Sequence, residues 1–441
     1  MKYFSRLLIA LLGAVAAVLL LATPALAFCG FYVAKADASL YNQASQVVIA
    51  RDGDRTVLTM ANDYQGAVQD FALVVPVPGV LKQEQVRVGE AKIIERLDGF
   101  SAPRLVEYFD ANPCEVYFPT RGAGDGVFQS APEAESRGRD RSLGVTVESQ
   151  FTVGEYDIVI LSALESDGLE TWLRQNGYQI PQGAAQLLQP YIRQGLKFFV
   201  AKVNLAEFDK GGFRSLRPLM MAYESPRFML PIRLGMINAQ GEQDLIIYLL
   251  SPKGQAELVN YRLVKIPSDA NIPEFVQQKF PEFYRALFNT AHQREQKKVA
   301  FLEYAWDMGS CDPCSADPLT PEELKQAGVF WLTPEQLGNG SANVFITRMH
   351  VRYSRDRFPE DLRFQETGNR EQFQGRYVIQ HPYKGEIACG AAQPYQASVR
   401  ERQEQEIQIL ARLTGWPTQE IRQQVKLINL EPQPWWRQLF N

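Results

Sequence analysis

The sequence predicts an α+β protein, with an antiparallel, β-rich N-terminal half and a mixed strand and helix C-terminal half that ends in an αα-hairpin. Three observations predict it. Between residues 28 and 266, short runs rich in β-branched and aromatic residues alternate with turn residues, the texture of antiparallel sheet. From Pro273 the apolar positions change period: Phe275, Phe280, Phe283, Tyr284 and Leu287 recur at helical spacing. Near the end, Gly415 and Pro417 separate two helical stretches, a stop signal followed by a block to continuation. The chain is therefore read as a leader over 1–27, a β-rich domain over 28–266 and an α+β domain over 267–441.

The leader is an address. Lys2 and Arg6 form a short basic region, Leu7 to Leu21 is an apolar run, and Ala25-Leu26-Ala27 places small residues where a signal peptidase reads them. A lipoprotein site would need a small residue before its cysteine, and Phe28 precedes Cys29. No later run approaches 18 apolar residues, so the mature chain is expected to lack a transmembrane helix and to be exported, periplasmic or extracellular.

The elements follow in order. Val47–Ala50 and Thr56–Met60 flank Asp52-Gly53-Asp54, a hairpin in which Gly53 supplies the positive φ. Phe71–Val77 is a continuous apolar strand whose Pro76 cannot donate to a ladder, which marks a sheet edge or strand end. Ile93–Phe109 fits either periodicity, and 120–144, rich in glycine and alternating charge, reads as a flexible loop. A strand over Tyr156–Leu161 leads to a helix over 168–176, capped by Gly177. Lys197–Leu205, Leu216–Tyr223, Phe228–Ile237 and Leu245–Leu250 are β-type runs, with a turn at Asn238–Gly241. The helix after Pro273 extends to about Lys298 in two or three segments, its basic end solvated, and Val299–Trp306 returns to strand. Thr320-Pro321-Glu322-Glu323 and Thr333-Pro334-Glu335-Gln336 are two capping boxes with proline at the first helical position. Strands over Val344–Tyr353 and Arg376–Gln380 precede the closing helices, Ala397–Leu413 and Thr418–Ile428.

Charge and motifs narrow the function classes. Removing the leader takes away two basic residues and no acid, so the formal charge of −4 becomes −6 over 414 of the 441 residues. An acidic chain without a polybasic run is a poor partner for nucleic acid or an anionic membrane. Gly122-x-Gly124-x-Gly126 lacks the Lys-Ser/Thr of a phosphate loop, and no cofactor is implied. The three histidines, His292, His350 and His381, form no His-Glu-x-x-His pair, and there is no Gly-x-Ser-x-Gly elbow. His350 reads as a packed strand residue.

Five cysteines survive signal removal: Cys29, Cys114, Cys311, Cys314 and Cys389. In an oxidising space four make two disulfides and one is left over, with the pairing open. Cys311-Asp312-Pro313-Cys314 is the one motif resembling chemistry. A redox pair needs a helix N-terminus to lower one thiol pKa, and the sequence after Cys314 starts its helix afresh at Thr320. Structural staples are the expectation; a zinc set of Cys311, Cys314, Cys389 and His381 is the weaker metal candidate. Trp435-Trp436 is read either as a seal on the core or as a contact with a membrane surface or envelope partner.

Several segments in order carry a resemblance. Cys29-Gly30-Phe31-Tyr32-Val33, Trp172 to Pro181, Lys197 to Lys202, Cys311 to Cys314 with its following Pro-Leu-Thr, and Met349 to Arg352 leading to Phe358-Pro359-Glu360-Asp361-Leu362 resemble the bacterial domain of unknown function 2330 family. The resemblance implies an exported protein and carries over no catalytic residue. The leading expectation is a non-enzymatic binding or envelope-associated protein with stapled loops. Its alternatives are a thiol–disulfide oxidoreductase through Cys311 and Cys314, and a hydrolase whose carboxylates are distant in sequence.

Overall fold

The structure, a computed structural model, describes residues 31–34, 41–42, 45–61, 64–65, 71–114, 145–176, 184–211, 216–237, 241–311, 316–333 and 342–428. The leader, Cys29, the expected loop 120–144, Gly177, Cys314 and Trp435-Trp436 lie outside these residues.

The first third holds strands β1 (Phe31–Ala34), β2 (Tyr41–Asn42), β3 (Ser45–Asp52), β4 (Arg55–Ala61), β5 (Tyr64–Gln65), β6 (Phe71–Val77), β7 (Val86–Val88) and β8 (Arg104–Phe109), with helix α1 (Ala91–Ser101) before β8. The middle third holds β9 (Val145–Val153), β10 (Tyr156–Ala163), α2 (Ser166–Gln175), α3 (Ala184–Arg193), β11 (Lys197–Val203) and α4 (Leu205–Gly211). It continues with β12 (Leu219–Glu224), β13 (Met229–Leu230), β14 (Gln243–Ser251), β15 (Ala256–Leu258), β16 (Arg262–Lys265) and β17 (Ala270–Asn271). The last third holds α5 (Phe280–Arg294), entered through a 3₁₀ turn at Glu274–Lys279, then β18 (Val299–Asp307), α6 (Pro321–Gln326) and β19 (Phe345–Tyr353). It closes with β20 (Leu362–Glu366), β21 (Phe373–Gln374), β22 (Arg376–His381), α7 (Ala392–Thr414) and α8 (Thr418–Gln424).

Two large sheets face each other. One runs β1-β6-β11-β10-β9, antiparallel throughout. The other runs β16-β18-β19-β14-β3-β4-β12-β7, with β21 beside β18; only β14–β3 and β16–β18 are parallel. The inter-sheet core takes alternate residues from both: Val47 and Ile49, Leu58 and Met60, Leu73 and Val75, Ile158 and Ile160, Leu245 and Ile247, Met349 and Val351. The outer face of the first sheet is covered by α2 and α3 through Leu169, Leu173, Leu188 and Tyr191. The outer face of the second is covered by α1 and α6 at one end, and by α5 with α7 and α8 at the other. The second sheet unites strands from both sides of residue 266, so the expected boundary between 266 and 267 is crossed by its hydrogen bonding.

The α+β class holds, with particular departures. Ile93–Phe109 divides into α1 and β8, with Pro103 between them. Phe228–Ile237 is not a strand: only Met229–Leu230 pairs, because Pro231 cannot extend the ladder, and Gly235–Ile237 is a 3₁₀ turn. Pro76 stands one residue from the end of β6, opposite Phe198 of β11, the strand end that its missing N–H predicts. Thr320 caps α6 as expected, its hydroxyl accepting from the Glu323 amide, and Gly415 ends α7 with φ of 75°.

Two left-handed glycines separate backbone from steric cost. Gly53, at φ 60° in the β3–β4 turn, has open space where a Cβ would stand; at Gly328, φ 97°, the added atom would lie 2.7 Å from Val57 Cγ1. Gly53→Ala is expected to lose about 1–2 kcal/mol for the left-handed backbone alone. Gly328→Ala is expected to lose about 1–3 kcal/mol more from overpacking, in chemical denaturation at matched conditions. Equal losses would contradict the packing of α6 against β4.

Candidate functional site

The side of the second sheet that faces the helices carries ionisable groups where an interior is usually apolar. The period of two explains the placement. In β19, Met349, Val351 and Tyr353 enter the inter-sheet core, so Arg348, His350 and Arg352 point the other way. In β14 the same alternation turns Asp244 and Tyr248 outward from that core. In β18 the pairing with β19 slips between Leu302 and Tyr304, leaving Glu303 as the bulged residue. The bulge lets Glu303 and Tyr304 both face the helices.

Glu303 is fully buried and saturated. Its Oε1 lies 2.9 Å from His350 Nδ1 and accepts from the Tyr284 hydroxyl; its Oε2 accepts from Arg348 Nε at 2.7 Å. His350 Nε2 lies 2.9 Å from Asp244 Oδ1, and Arg352 binds the same carboxylate with two nitrogens, each at 2.8 Å. Arg348 Nη1 reaches Asp98 at 2.7 Å, and Tyr248 donates to Asp98 at 2.8 Å. From α5, Phe288 stacks on His350 with centroids 3.8 Å apart, and the Arg352 guanidinium lies 4.8 Å from the Phe288 centroid.

The electrostatics follow. Burial opposes ionisation of Glu303 most strongly, yet His350 and Arg348 outweigh it and hold its pKa at about 2. Burial likewise works against Asp244, and His350 with Arg352 depresses it well below the carboxylate range. Burial lowers His350, but Glu303 and Asp244 raise it further, so the net shift is upward. Chemically the array is a clamp. A general base must present a ring nitrogen to its substrate, and both nitrogens of His350 already face carboxylates.

A second cluster lies where β8 and β22 end side by side, in parallel. Asp110, just past β8, accepts from Arg402 at 2.7 Å, from Tyr395 at 2.6 Å and from Gln380 at 2.7 Å. Burial raises its pKa, and these donors more than reverse it. Glu406, one turn beyond Arg402 on α7, is pushed up to about 7 by burial, against Arg402 and with help from Asp110. Opposed shifts are an acid–base signature, and this pair is the nearest approach to the expected hydrolase carboxylates. Glu406 is only 5% exposed, and Arg402, 3.7 Å from it, is shared with Asp110. His381 Nε2 lies 2.7 Å from Glu107 and its Nδ1 3.5 Å from Glu274, while its ring stacks on Phe109 at 4.5 Å. Phe109 is 70% exposed and Tyr108 47%.

Two cysteines meet at the same corner. Cys114, after β8, is bonded to Cys389, after β22, across 275 residues of sequence. Cys311 is also in a disulfide, and its partner lies outside the described residues. In the zinc set of Cys311, Cys314, Cys389 and His381, Cys389 and Cys311 are in disulfides and offer no thiolate, His381 Nε2 faces Glu107, and Cys314 lies outside the described residues. Among the described residues no group of three or more His, Cys, Asp and Glu is arranged to hold a metal. The described residues also contain no helix long and apolar enough to cross a membrane.

The Glu303–His350–Asp244 array was not foreseen. Its signal was present: Arg348-x-His350-x-Arg352 places charge at every second position of an otherwise apolar strand, and Glu303 interrupts Val299–Trp306 in the same way.

The family DUF2330, described as an uncharacterized protein conserved in bacteria, matches residues 23–365, which takes in the charge array and both ends of β8 but stops before β22 and α7. Nothing among the curated proteins or the solved structures matches the chain.

Two substitutions separate the carboxylates. The folded pKa of Glu303 lies below the ordinary 4.5, so its contribution is present above that value and lost as pH falls through about 2. Glu406 has the opposite sign: its contribution is present below 4.5 and lost as pH rises through about 7. Denaturation is expected to show Glu303→Gln losing about 3–5 kcal/mol at pH 7. Glu406→Gln is expected to gain on the order of 1–3 kcal/mol at pH 8 and little at pH 4. A Glu406→Gln variant no more stable at pH 8 than the parent would contradict the burial of that charge.

Proposed function

We propose that this chain, which belongs to the DUF2330 family of bacterial proteins, is an exported, non-catalytic binding or envelope-associated protein whose disulfides act as staples. The observation that carries the reading is the Cys114–Cys389 bond. Disulfides of this kind persist in oxidising compartments, which agrees with the leader read at residues 1–27. A cross-link closing so long a loop removes chain entropy chiefly from the unfolded state, the role of a staple.

The non-catalytic part rests on the chemistry left over. Cys114, Cys389 and Cys311 are oxidised, both ring nitrogens of His350 face carboxylates, and His381 Nε2 faces Glu107. The binding part rests on the stapled corner. Segments leaving the C-terminal ends of adjacent parallel strands are where sheets commonly present ligand-contacting loops. Here the disulfide holds two such segments together beside the exposed rings of Tyr108 and Phe109. A large exposed aromatic on a rigid support is contact surface gained at low conformational cost.

The test is the thiol state of the protein recovered from its own compartment. Alkylation without reductant, digestion and peptide mapping are expected to return Cys114 linked to Cys389, with the bond resisting redox buffers down to about −300 mV. A pair that titrates between about −120 and −270 mV with one reactive thiol would instead establish the oxidoreductase reading. A mature N-terminus beginning upstream of residue 28 would remove the export argument.

A further inference from the structure

Of the groups left unused by the proposed function, the charge array beneath α5 carries an inference furthest. We propose that His350 is a resident imidazolium whose proton clamps the α5–α7–α8 helical layer to the second sheet, and that alkaline pH releases the clamp.

The hydrogen-bond geometry requires the proton. Both ring nitrogens lie 2.9 Å from carboxylate oxygens of two different residues, Glu303 on β18 and Asp244 on β14. An ionised carboxylate only accepts, and a neutral imidazole has a single N–H. A neutral His350 would aim a lone pair at one carboxylate at hydrogen-bond distance. The charge count agrees. Asp98, Asp244 and Glu303 are balanced by Arg348, Arg352 and a protonated His350, and the array carries a net negative charge once that proton leaves.

The groups facing His350 from each packed element support the assignment. From β19, Arg348 and Arg352 bind the same two carboxylates. From β14, Tyr248 has its pKa raised, chiefly by burial, and remains a neutral donor to Asp98 of α1. From α5, Tyr284 is likewise raised by burial and donates to Glu303. His292 on α5 is lowered, first by burial, so it is neutral while His350 is charged. At the mouth of the array Lys297 pairs with Glu242 at 2.8 Å. His350 is thus the group whose ordinary pKa, 6.5, lies nearest neutrality among those whose net shift favours the charged form.

The clamp reaches the helices through α5. Phe288 lies flat on the His350 ring, and a charged ring is held by that π face more strongly than a neutral one. Asn289 accepts from Arg352, and His292 Nε2 lies 3.2 Å from the Arg352 carbonyl. The next layer hangs on α5: Thr290 donates to the Thr414 carbonyl at 2.9 Å and Arg294 to the Arg412 carbonyl at 2.6 Å, both on α7. Because the folded pKa of His350 lies above 6.5, its contribution is full below that value and is lost as pH rises through the folded pKa. A chain exported to a space whose pH follows its surroundings would meet that change directly.

The experiment uses the full chain. Nitrogen-15 imidazole spectra, recorded from pH 5 to 10, are expected to show His350 protonated at both nitrogens beyond the pH where an ordinary histidine has lost its proton, about 6.5. Over the same range, exchange protection of amides 284–292, corrected for the intrinsic pH dependence of exchange, is expected to fall tenfold or more as His350 titrates. In His350→Gln that protection is expected to be lower at pH 6 and flat with pH, whereas Glu406, outside the array, titrates in both proteins alike. A neutral His350 at pH 6 overturns the proposal, as does parallel loss of α5 protection in parent and variant. If His350→Gln does not fold, the imidazole spectra and α5 protection of the parent still decide, since protection unchanged through the His350 titration is equally fatal.

Discussion

A charge taken out of water must find its counter-charge in the protein, and that constraint organises the helix-facing side of the second sheet. An isolated ion there would cost several kcal/mol, so each carboxylate stands only because a cation reaches it. Glu303 shows how the fold meets the demand. The β18 bulge turns it toward the helices, the alternation of β19 delivers Arg348 and His350 to its two oxygens, and Tyr284 of α5 fills the remaining place. Helix placement follows: α1 supplies Asp98 to the far side of Arg348, and α5 lays Phe288 on His350. The inter-sheet core, by contrast, is apolar and has no such requirement for specific partners.

The same account links stability to restraint. A network of matched charges contributes less net stabilisation than an apolar core of equal volume, but breaking one member leaves the others unpaired. Such a network specifies where the helices sit more than how tightly they hold. The Cys114–Cys389 bond acts at the other end of β8, where apolar cover is thin: Tyr108 and Phe109 are exposed and Asp110 is held by Arg402, Tyr395 and Gln380. Charge matching fixes the middle of the helical layer, and a covalent tie fixes its corner.

How much was legible in the sequence depends on the range of the interaction. The β3–β4 hairpin, the Thr320 cap and the Gly415 stop are local and read correctly, because Gly53, Thr320 and Gly415 carry their own conformational instructions. The Phe228–Ile237 run has the apolar composition of a strand, but Pro231 ends the ladder after Leu230. The boundary at 266 rested on a change of texture, yet β18 and β19 join β14 and β3 in one sheet, a long-range pairing that composition does not encode. The array was half legible. Charges two apart in an apolar strand announce burial of polar groups, but which carboxylates meet His350 depends on a bulge and on strand order. Pairing of the cysteines was open for the same reason, since Cys114 and Cys389 meet only through β8 and β22.

The central claim is that Glu303 and His350 form one charged unit, and a double-mutant cycle measures that unit directly. Unfolding free energies of the parent, Glu303→Gln, His350→Gln and the double variant at pH 6 are expected to leave a coupling of about 1–3 kcal/mol, the double variant being less damaged than the sum of the singles. Additive losses, within about 0.5 kcal/mol, would mean that the two side chains are packed neighbours without a shared charge, and would contradict the account.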